Sequence, residues 1–281
     1  MNVSPCCLTI AGSDSGGNAG VQADLRAFHA YSLHGCTVLA ALTAQNPREV
    51  SAIHLVPADF VKAQLDAVLG VYDIKALKTG MLSDPAAIDV IAAALAPRVE
   101  IAKVIDPVMI ATSGARLISG EAMAAVESRL LPLATLMTPN LPEAEELCGR
   151  SSAANAARCG SAGHAKDLAK ELFDKFGCAV LVKGGHGEGS SVVDVLFDGR
   201  ESVEFSMPRI DNPVSTHGTG CSLAAALAAE LALGHDLRRA VAGAKAYVHD
   251  AIERSYLVGP ACGVLGFAMS GPSLLTERRA I

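Results

Sequence analysis

The chain contains no tryptophan and only 4% aromatic residues, so its 51% hydrophobic content is carried mainly by Ala, Val, Leu and Ile. Small and branched aliphatics without aromatic anchors suit the buried strands and covering helices of a layered α/β protein. No CxxC pair occurs, and the eight cysteines are scattered apart from the adjacent Cys6 and Cys7. This spacing argues against the closely paired ligands of structural zinc and against the disulfide framework of a small secreted domain. The thiols read instead as small hydrophobes in a reducing compartment. Basic residues do not cluster, and a net charge of −6 argues against nucleic acid as a general partner. No apolar run reaches the roughly 18 residues of a membrane span, and the stretch from Met1 to Ile10 lacks a basic leader. These absences lead us to expect a soluble cytoplasmic protein with neither nucleic acid nor membrane as a partner. Any anion is then bound locally, in a site. The 281 residues read most economically as a single domain over residues 1–281.

Short aliphatic runs alternate with amphipathic segments along most of the chain. Ile74–Lys78, Ile101–Ile105, Ala134–Thr138 and Ala179–Lys183 read as strands, each entering a polar or glycine-containing turn. Between them, Phe60, Val61, Gln64, Leu65, Val68 and Leu69 trace one helical face, with Asp59 as the expected cap and Gly70 as the expected stop. Pro85, after Asp84, opens a further helix, and Pro142 opens Glu143–Cys148. Val192–Phe197 and Ser202–Met207 alternate around Asp198-Gly199-Arg200 and predict an antiparallel hairpin. Two long helices are expected over Thr219–Leu233 and Leu237–Arg254, and Ser151–Gly163 reads as a surface loop. Repeated β-then-α units predict a three-layer α/β/α sandwich around a mainly parallel sheet.

Ligands of open α/β sheets sit beyond the carboxyl ends of the strands. Distinctive residues occupy such positions here: Lys78-Thr79-Gly80-Met81, Asp106-Pro107-Val108-Met109, Thr138-Pro139-Asn140 and Lys183-Gly184-Gly185-His186. Thr216-His217-Gly218-Thr219-Gly220-Cys221 precedes an apolar helix, so its backbone N–H groups can turn toward one anion. It is not a P-loop, because no Gly-Lys-Ser/Thr follows. The turn from Gly12 to Gly20 lacks dinucleotide spacing, and Phe28–Gln45 contains no acidic residue to hold a ribose.

Together these motifs resemble the hydroxymethylpyrimidine kinases of the ribokinase-like superfamily. Asp106–Met109, Thr138–Glu145, Thr216–Cys221, Ala11–Gly17 continuing to Asp24, Thr43–Asn46 and Lys78–Met81 match in order, covering about Leu8 to Tyr256. The resemblance implies transfer of the ATP γ-phosphoryl group to hydroxymethylpyrimidine, and to its monophosphate, in thiamine synthesis. It also implies Mg²⁺ and a homodimer. The transferring group would lie on Gly218, Thr219, Gly220 and Cys221, with Lys183 stabilising charge. The substrate would meet Gly12, Asp24, Gln45, Met81 and Val108, the nucleotide Asp106, Asn140, Lys183 and Thr216. Mg²⁺ would be ordered near Asn140 and Glu143, through water.

Plainer roles stand beside these. Asp24 is either a substrate contact or a solvated helix residue, and Lys183 either a phosphate partner or a surface lysine. Met81 and Val108 serve equally as core. Glu143 suits both a metal site and the first turn of a helix. His186 and His217 tempt as acid–base groups, but neither has a sequence-evident carboxylate partner. Cys221 is either a general base whose thiol a helix N-terminus acidifies, or a small residue shaping the pocket while the backbone carries catalysis. Two departures from the family pattern stand out. Asn18 replaces a turn glycine, where tolerance of a left-handed backbone would matter, and Ile110–Gly114 lacks the usual lysine. The rivals are a pyridoxal kinase on the same scaffold and a non-catalytic pyrimidine-binding regulator.

Overall fold

The computed structural model describes residues 4–110, 116–150, 162–185, 189–259 and 262–267. In chain order its strands and helices are β1 (Cys6–Asp14), α1 (Gly20–Ala30), β2 (His34–Asn46), β3 (Glu49–Leu55), α2 (Ala58–Leu69), β4 (Ile74–Thr79) and α3 (Pro85–Leu95). They continue with β5 (Ala102–Ile105), α4 (Gly120–Ala125), β6 (Leu136–Met137), α5 (Leu141–Leu147), α6 (Ala162–Phe176), β7 (Ala179–Val182), β8 (Ser191–Phe197), β9 (Ser202–Pro208), α7 (Thr219–Ala232) and α8 (Leu237–Glu253). Nine strands form one sheet in the order β3-β2-β1-β4-β5-β6-β7-β8-β9. From β2 to β7 the neighbours are parallel, while β3 at one edge and β8 and β9 at the other run antiparallel. The chain thus folds as the expected α/β/α sandwich.

Strand alternation sorts the core into two layers. Leu8, Leu77, Ile105, Met137, Val180 and Val182 face α2, α3 and α6. Cys7, Ala76, Val104, Leu136 and Leu181 face the opposite way, toward α1, α7 and α8. The second face is lined by small residues because α7 lies close on it: Ala224, Ala225, Ala226, Ala228 and Ala229 are all fully buried. Helix α7 also packs against α1 and α8, which explains why it reads as apolar on every side.

Local chemistry sets the helix starts. Asp84 accepts hydrogen bonds from the Ala86 and Ala87 N–H groups, with Pro85 in the first turn. Asn140 and Glu143 form a reciprocal capping box at α5. Asp59 is not the cap expected for α2. Pro57 takes that position, and Asp59 sits inside the first turn, where the helix dipole favours a carboxylate. Gly70 closes α2 at φ −80°, without using glycine's left-handed freedom. The strand expected over Ala134–Thr138 contracts to β6, and Lys183 lies just past β7, bridged to Asn140. Of the expected loop, residues 151–161 lie outside the described residues, while Ala162 and Gly163 begin α6.

Candidate active site

The carboxyl ends of the parallel strands and the start of α7 open on one cavity of about 860 Å³. Gly218 lines it with φ 90°. A Cβ there would stand 2.0 Å from the Asn18 carbonyl oxygen, so only glycine lets the two turns meet. No side chain caps α7 at this end. Apart from the Thr219 N–H, which donates to the Thr216 carbonyl at 3.4 Å, its first-turn N–H groups need solvent or an anion, and the dipole favours the anion.

On one side of this turn stands a cluster of charges. Lys183 Nζ lies 2.9 Å from Asp106 Oδ1, which also accepts a 2.9 Å hydrogen bond from Thr138 Oγ1. Glu143 Oε2 is 3.9 Å from the same ammonium and accepts the Asn140 N–H at 2.7 Å. Burial first, and then the neighbouring Asp106 charge, push the Glu143 carboxyl up to about 7, against the opposing pull of Lys183 and the N–H groups of Asn140 and Met109. Lys183 is pulled down by burial, but Asp106 and Glu143 outweigh this and raise it. Two buried carboxylates thus share one ammonium, a set short of positive charge and suited to a hydrated divalent cation. Asn140 Oδ1 is already occupied by the Glu143 N–H at 2.9 Å, so this residue fits an indirect role better than a direct ligand.

On the other side, the N-terminal turn winds around Asp14. Its Oδ1 accepts the Gly16 N–H at 2.8 Å, and its Oδ2 accepts those of Asn18 and Ala19 at 2.9 and 2.8 Å. Burial alone would push this carboxyl up, but the nearby His217 ring and the three N–H groups hold it below the usual carboxylate range. Gly17 and Gly20 take the left-handed positions at φ 76° and 56°, so Asn18 is not strained and its substitution leaves the turn intact. Gln45 lines the cavity, its Oε1 accepting from Thr43 Oγ1 at 3.2 Å. Met81 lies against Gly12, where a Cβ would come 2.6 Å from Met81 Cε, and Val108 completes this wall.

The structure brings Gly12, Gln45, Met81, Asp106, Val108, Asn140, Glu143, Lys183, Thr216 and Gly218–Cys221 together around the cavity. It does not bring Asp24. That side chain is wholly buried under α1, with its oxygens 2.9 and 3.0 Å from Lys78 Nζ and 2.6 Å from Thr9 Oγ1. Asp24 is neither the substrate contact nor the solvated residue expected. Burial works against both partners and pushes the Asp24 carboxyl upward, whereas Asp24 keeps Lys78 raised. We read the pair as charged, because every oxygen contact of Asp24 is a donor.

The acidified thiol expected at Cys221 is also reversed. Burial, chiefly, pushes it up, the nearby Asp24 and Asp106 add to that, and Lys78 and the Gly20 N–H only partly offset it. The thiol is therefore protonated at neutral pH. Gly184 is required for a different reason from nucleotide approach: a Cβ there would meet the Val193 carbonyl oxygen at 1.8 Å. His186 lies outside the described residues.

Sequence reasoning missed three partnerships. His217 Nε2 stands 3.8 Å from Asp14 Oδ2, a facing carboxylate beyond hydrogen-bond distance and about 200 residues away in the chain. Lys78 closes on Asp24, and Asp194 in β8 holds Lys245 of α8 at 2.6 Å while accepting the Gly184 N–H at 2.8 Å. Only Asp194 carried a signal, as a charged residue in an otherwise apolar alternating strand.

Comparison with known proteins agrees with this geometry. The family model described as phosphomethylpyrimidine kinase matches residues 14–265. A hydroxymethylpyrimidine/phosphomethylpyrimidine kinase of Rhizobium meliloti is 47% identical over 245 residues, 87% of this chain and 89% of the relative. The ADP complex of Bacillus subtilis pyridoxal kinase superposes with a TM-score of 0.85 at 32% identity, covering 94% of this chain and 98% of that one. A phosphomethylpyrimidine kinase structure from Clostridium difficile 630 gives 0.76 at 36% identity, covering 89% and 100%. The chain belongs to the phosphomethylpyrimidine kinase family, within the ribokinase-like superfamily.

Proposed function

We infer that the cavity transfers the γ-phosphoryl group of ATP in line to the primary hydroxyl of hydroxymethylpyrimidine, and then to the resulting monophosphate, in thiamine synthesis. One observation carries this reading: the uncapped start of α7 lies between the Lys183–Asp106–Glu143 cluster and the Asp14–Gln45 wall. Donor and acceptor therefore meet at a preformed anion site. ATP phosphates lie on the Lys183 side, with Asp106, Asn140 and Thr216 around them. Backbone N–H groups of Thr219, Gly220 and Cys221 hold the transferring group, where Lys183 adds charge stabilisation. Asn140 and Glu143 would hold Mg²⁺, which would supply charge neutralisation at the phosphates.

The acceptor ring lies between Met81 and Val108 against Gly12, and Gln45 reads its edge. The Thr43 hydroxyl, which donates to the Ser13 carbonyl at 2.9 Å, lies 3.2 Å from Gln45 Oε1, and the amide offers a donor and an acceptor together to an aminopyrimidine. Phosphoryl transfer through a loose transition state asks for little early deprotonation, so a protonated Cys221 serves as pocket wall. A single kinase domain over residues 1–281, a homodimer and a cytoplasmic location belong to the same proposal. Seven unpaired cysteines among the described residues support a reducing compartment, and the exposed Ile53 and Leu55 of edge strand β3 offer an apolar contact to a second copy.

The test is ADP release with hydroxymethylpyrimidine, pyridoxal and hydroxyethylthiazole as acceptors. Hydroxymethylpyrimidine should exceed pyridoxal in kcat/KM by at least about tenfold, or about 1.4 kcal/mol in transition-state binding. The likeness to Bacillus subtilis pyridoxal kinase favours a second reading, and equal or inverted selectivity would establish it. A binding regulator would release no ADP with any of the three.

A further inference from the structure

We propose that the His217 imidazole is the acceptor-side phosphate contact of this cavity, donating a hydrogen bond to the phosphate of the pyrimidine monophosphate. The inference rests on the two-step reading above for its role in turnover. The side chain of His217 is 12% exposed, its two ring nitrogens are closed to solvent, and neither has a hydrogen-bond partner. An imidazole always carries at least one N–H, and a buried donor left unpaired is unfavourable. Asp14 does not satisfy it. At 3.8 Å its Oδ2 is beyond hydrogen-bond distance, and that oxygen already accepts from Asn18 and Ala19.

Among the described residues, the other basic side chains on the cavity are engaged. Lys183 is held by Asp106 and Lys245 by Asp194, while Arg209 and His249 bond the carbonyl oxygens of Gly189 and Pro208. Residues 111–115 are Ala-Thr-Ser-Gly-Ala and contribute no cation. Position points the same way. A Cβ on Gly220 would lie 3.7 Å from Lys183 Nζ, on the nucleotide side, whereas Gly218, beside His217, packs on the Asn18 carbonyl of the acceptor turn. The ring itself stands beside Asp14 of that turn, its Nε2 3.8 Å from Oδ2.

The second transfer needs such a contact. An oxygen of the acceptor phosphate bonds to the γ-phosphorus while the bond from that phosphorus to the β–γ bridging oxygen breaks, its electron pair leaving on ADP. Two phosphates then lie in line, and one set of backbone donors holds only the group in transit. With a second ionisation near ~6, the acceptor phosphate is already anionic at neutral pH and needs no base. What it needs is a separate donor, and His217 supplies one.

The test compares the parent with His217→Ala and His217→Asn, the latter keeping an N–H donor. Calorimetry measures the Kd of hydroxymethylpyrimidine and of its monophosphate, and ADP release measures kcat/KM for each. Circular dichroism and ATP affinity control for folding. In His217→Ala, monophosphate affinity should fall at least about tenfold more than alcohol affinity, with His217→Asn regaining part of the difference. Equal losses would overturn the proposal and leave His217 as a brace for the Asp14 turn, and an unchanged monophosphate Kd would also overturn it. A parent that binds the monophosphate without releasing ADP would remove the two-step reading alone, because the affinity comparison still decides the role of His217.

Discussion

Two lysine–aspartate pairs sit near the carboxyl ends of the parallel strands with the same 2.9 Å separation, yet they do different work. Lys78–Asp24 is sealed, with neither side chain exposed, whereas Lys183–Asp106 opens on the cavity with 14% of the lysine side chain accessible. In the sealed pair, Asp24 accepts from Lys78 on both oxygens and from Thr9, so the charges are locally balanced. In the open pair, Lys183 also faces Glu143, whose carboxyl is pushed up to about 7, so a second acidic group stands there without a cation of its own. Identical residue types thus give a sealed brace where the balance closes and an open cluster on the cavity where it does not.

The sealed pair should show the largest effect, on stability. Lys78→Met leaves the Asp24 carboxylate buried without its cation and should cost roughly 3–5 kcal/mol of unfolding free energy, measured by urea titration. Replacing both partners, with Asp24→Leu added, should recover most of it. A single mutant as stable as the parent would abolish the distinction drawn between the pairs.

Lys183→Met probes the opposite arm. We expect kcat to fall by about 10²–10³, as for loss of one stabilising donor, with a much smaller stability change than in Lys78→Met because the cavity lets water reach Asp106. If stability drops as far as in Lys78→Met while the remaining activity is parental, Lys183 is the brace instead.

Cys221 lies within the influence of both pairs, and Cys221→Ala should keep more than about a tenth of the parental kcat. A loss of about 10²–10⁴ would restore the thiol as general base, despite the burial that keeps it protonated.

The smallest effect concerns Asp14, a buried carboxylate held by the His217 ring and three N–H groups instead of a lysine. Its folded pKa is depressed, so its contribution to stability is complete above the unfolded value near ~3.9. That contribution is lost as pH falls through the lower folded value. Urea titrations from pH 6 downward should show the parent losing more stability than Asp14→Asn below about pH 4. Parallel curves would show that the turn does not depend on the charge.

Much of this was legible before folding. The aliphatic runs located β4, β5 and β7, the alternating pair with its Asp-Gly turn located the β8–β9 hairpin, and Pro85 and Pro142 marked two helix starts. Glycine-rich turns after strand ends pointed to the cavity, since turn chemistry and periodicity are local properties of the chain. Asp59 misled because a carboxylate just before an apolar face serves equally as a cap or as a first-turn residue, and backbone geometry alone distinguishes them.

The sequence by itself determined the layered α/β/α architecture, the glycine turn at Thr216–Cys221 that opens α7 and the family to which its ordered motifs belong. It carried no sign that Asp24 would be sealed against Lys78, that His217 would face Asp14, or that the Cys221 thiol would be pushed up. Those outcomes depend on which side chains, 50 to 200 residues apart, are brought within a few ångströms as water is excluded. Periodicity is written into neighbouring residues, but charge balance and desolvation belong to the space between elements, and tertiary packing alone decides them.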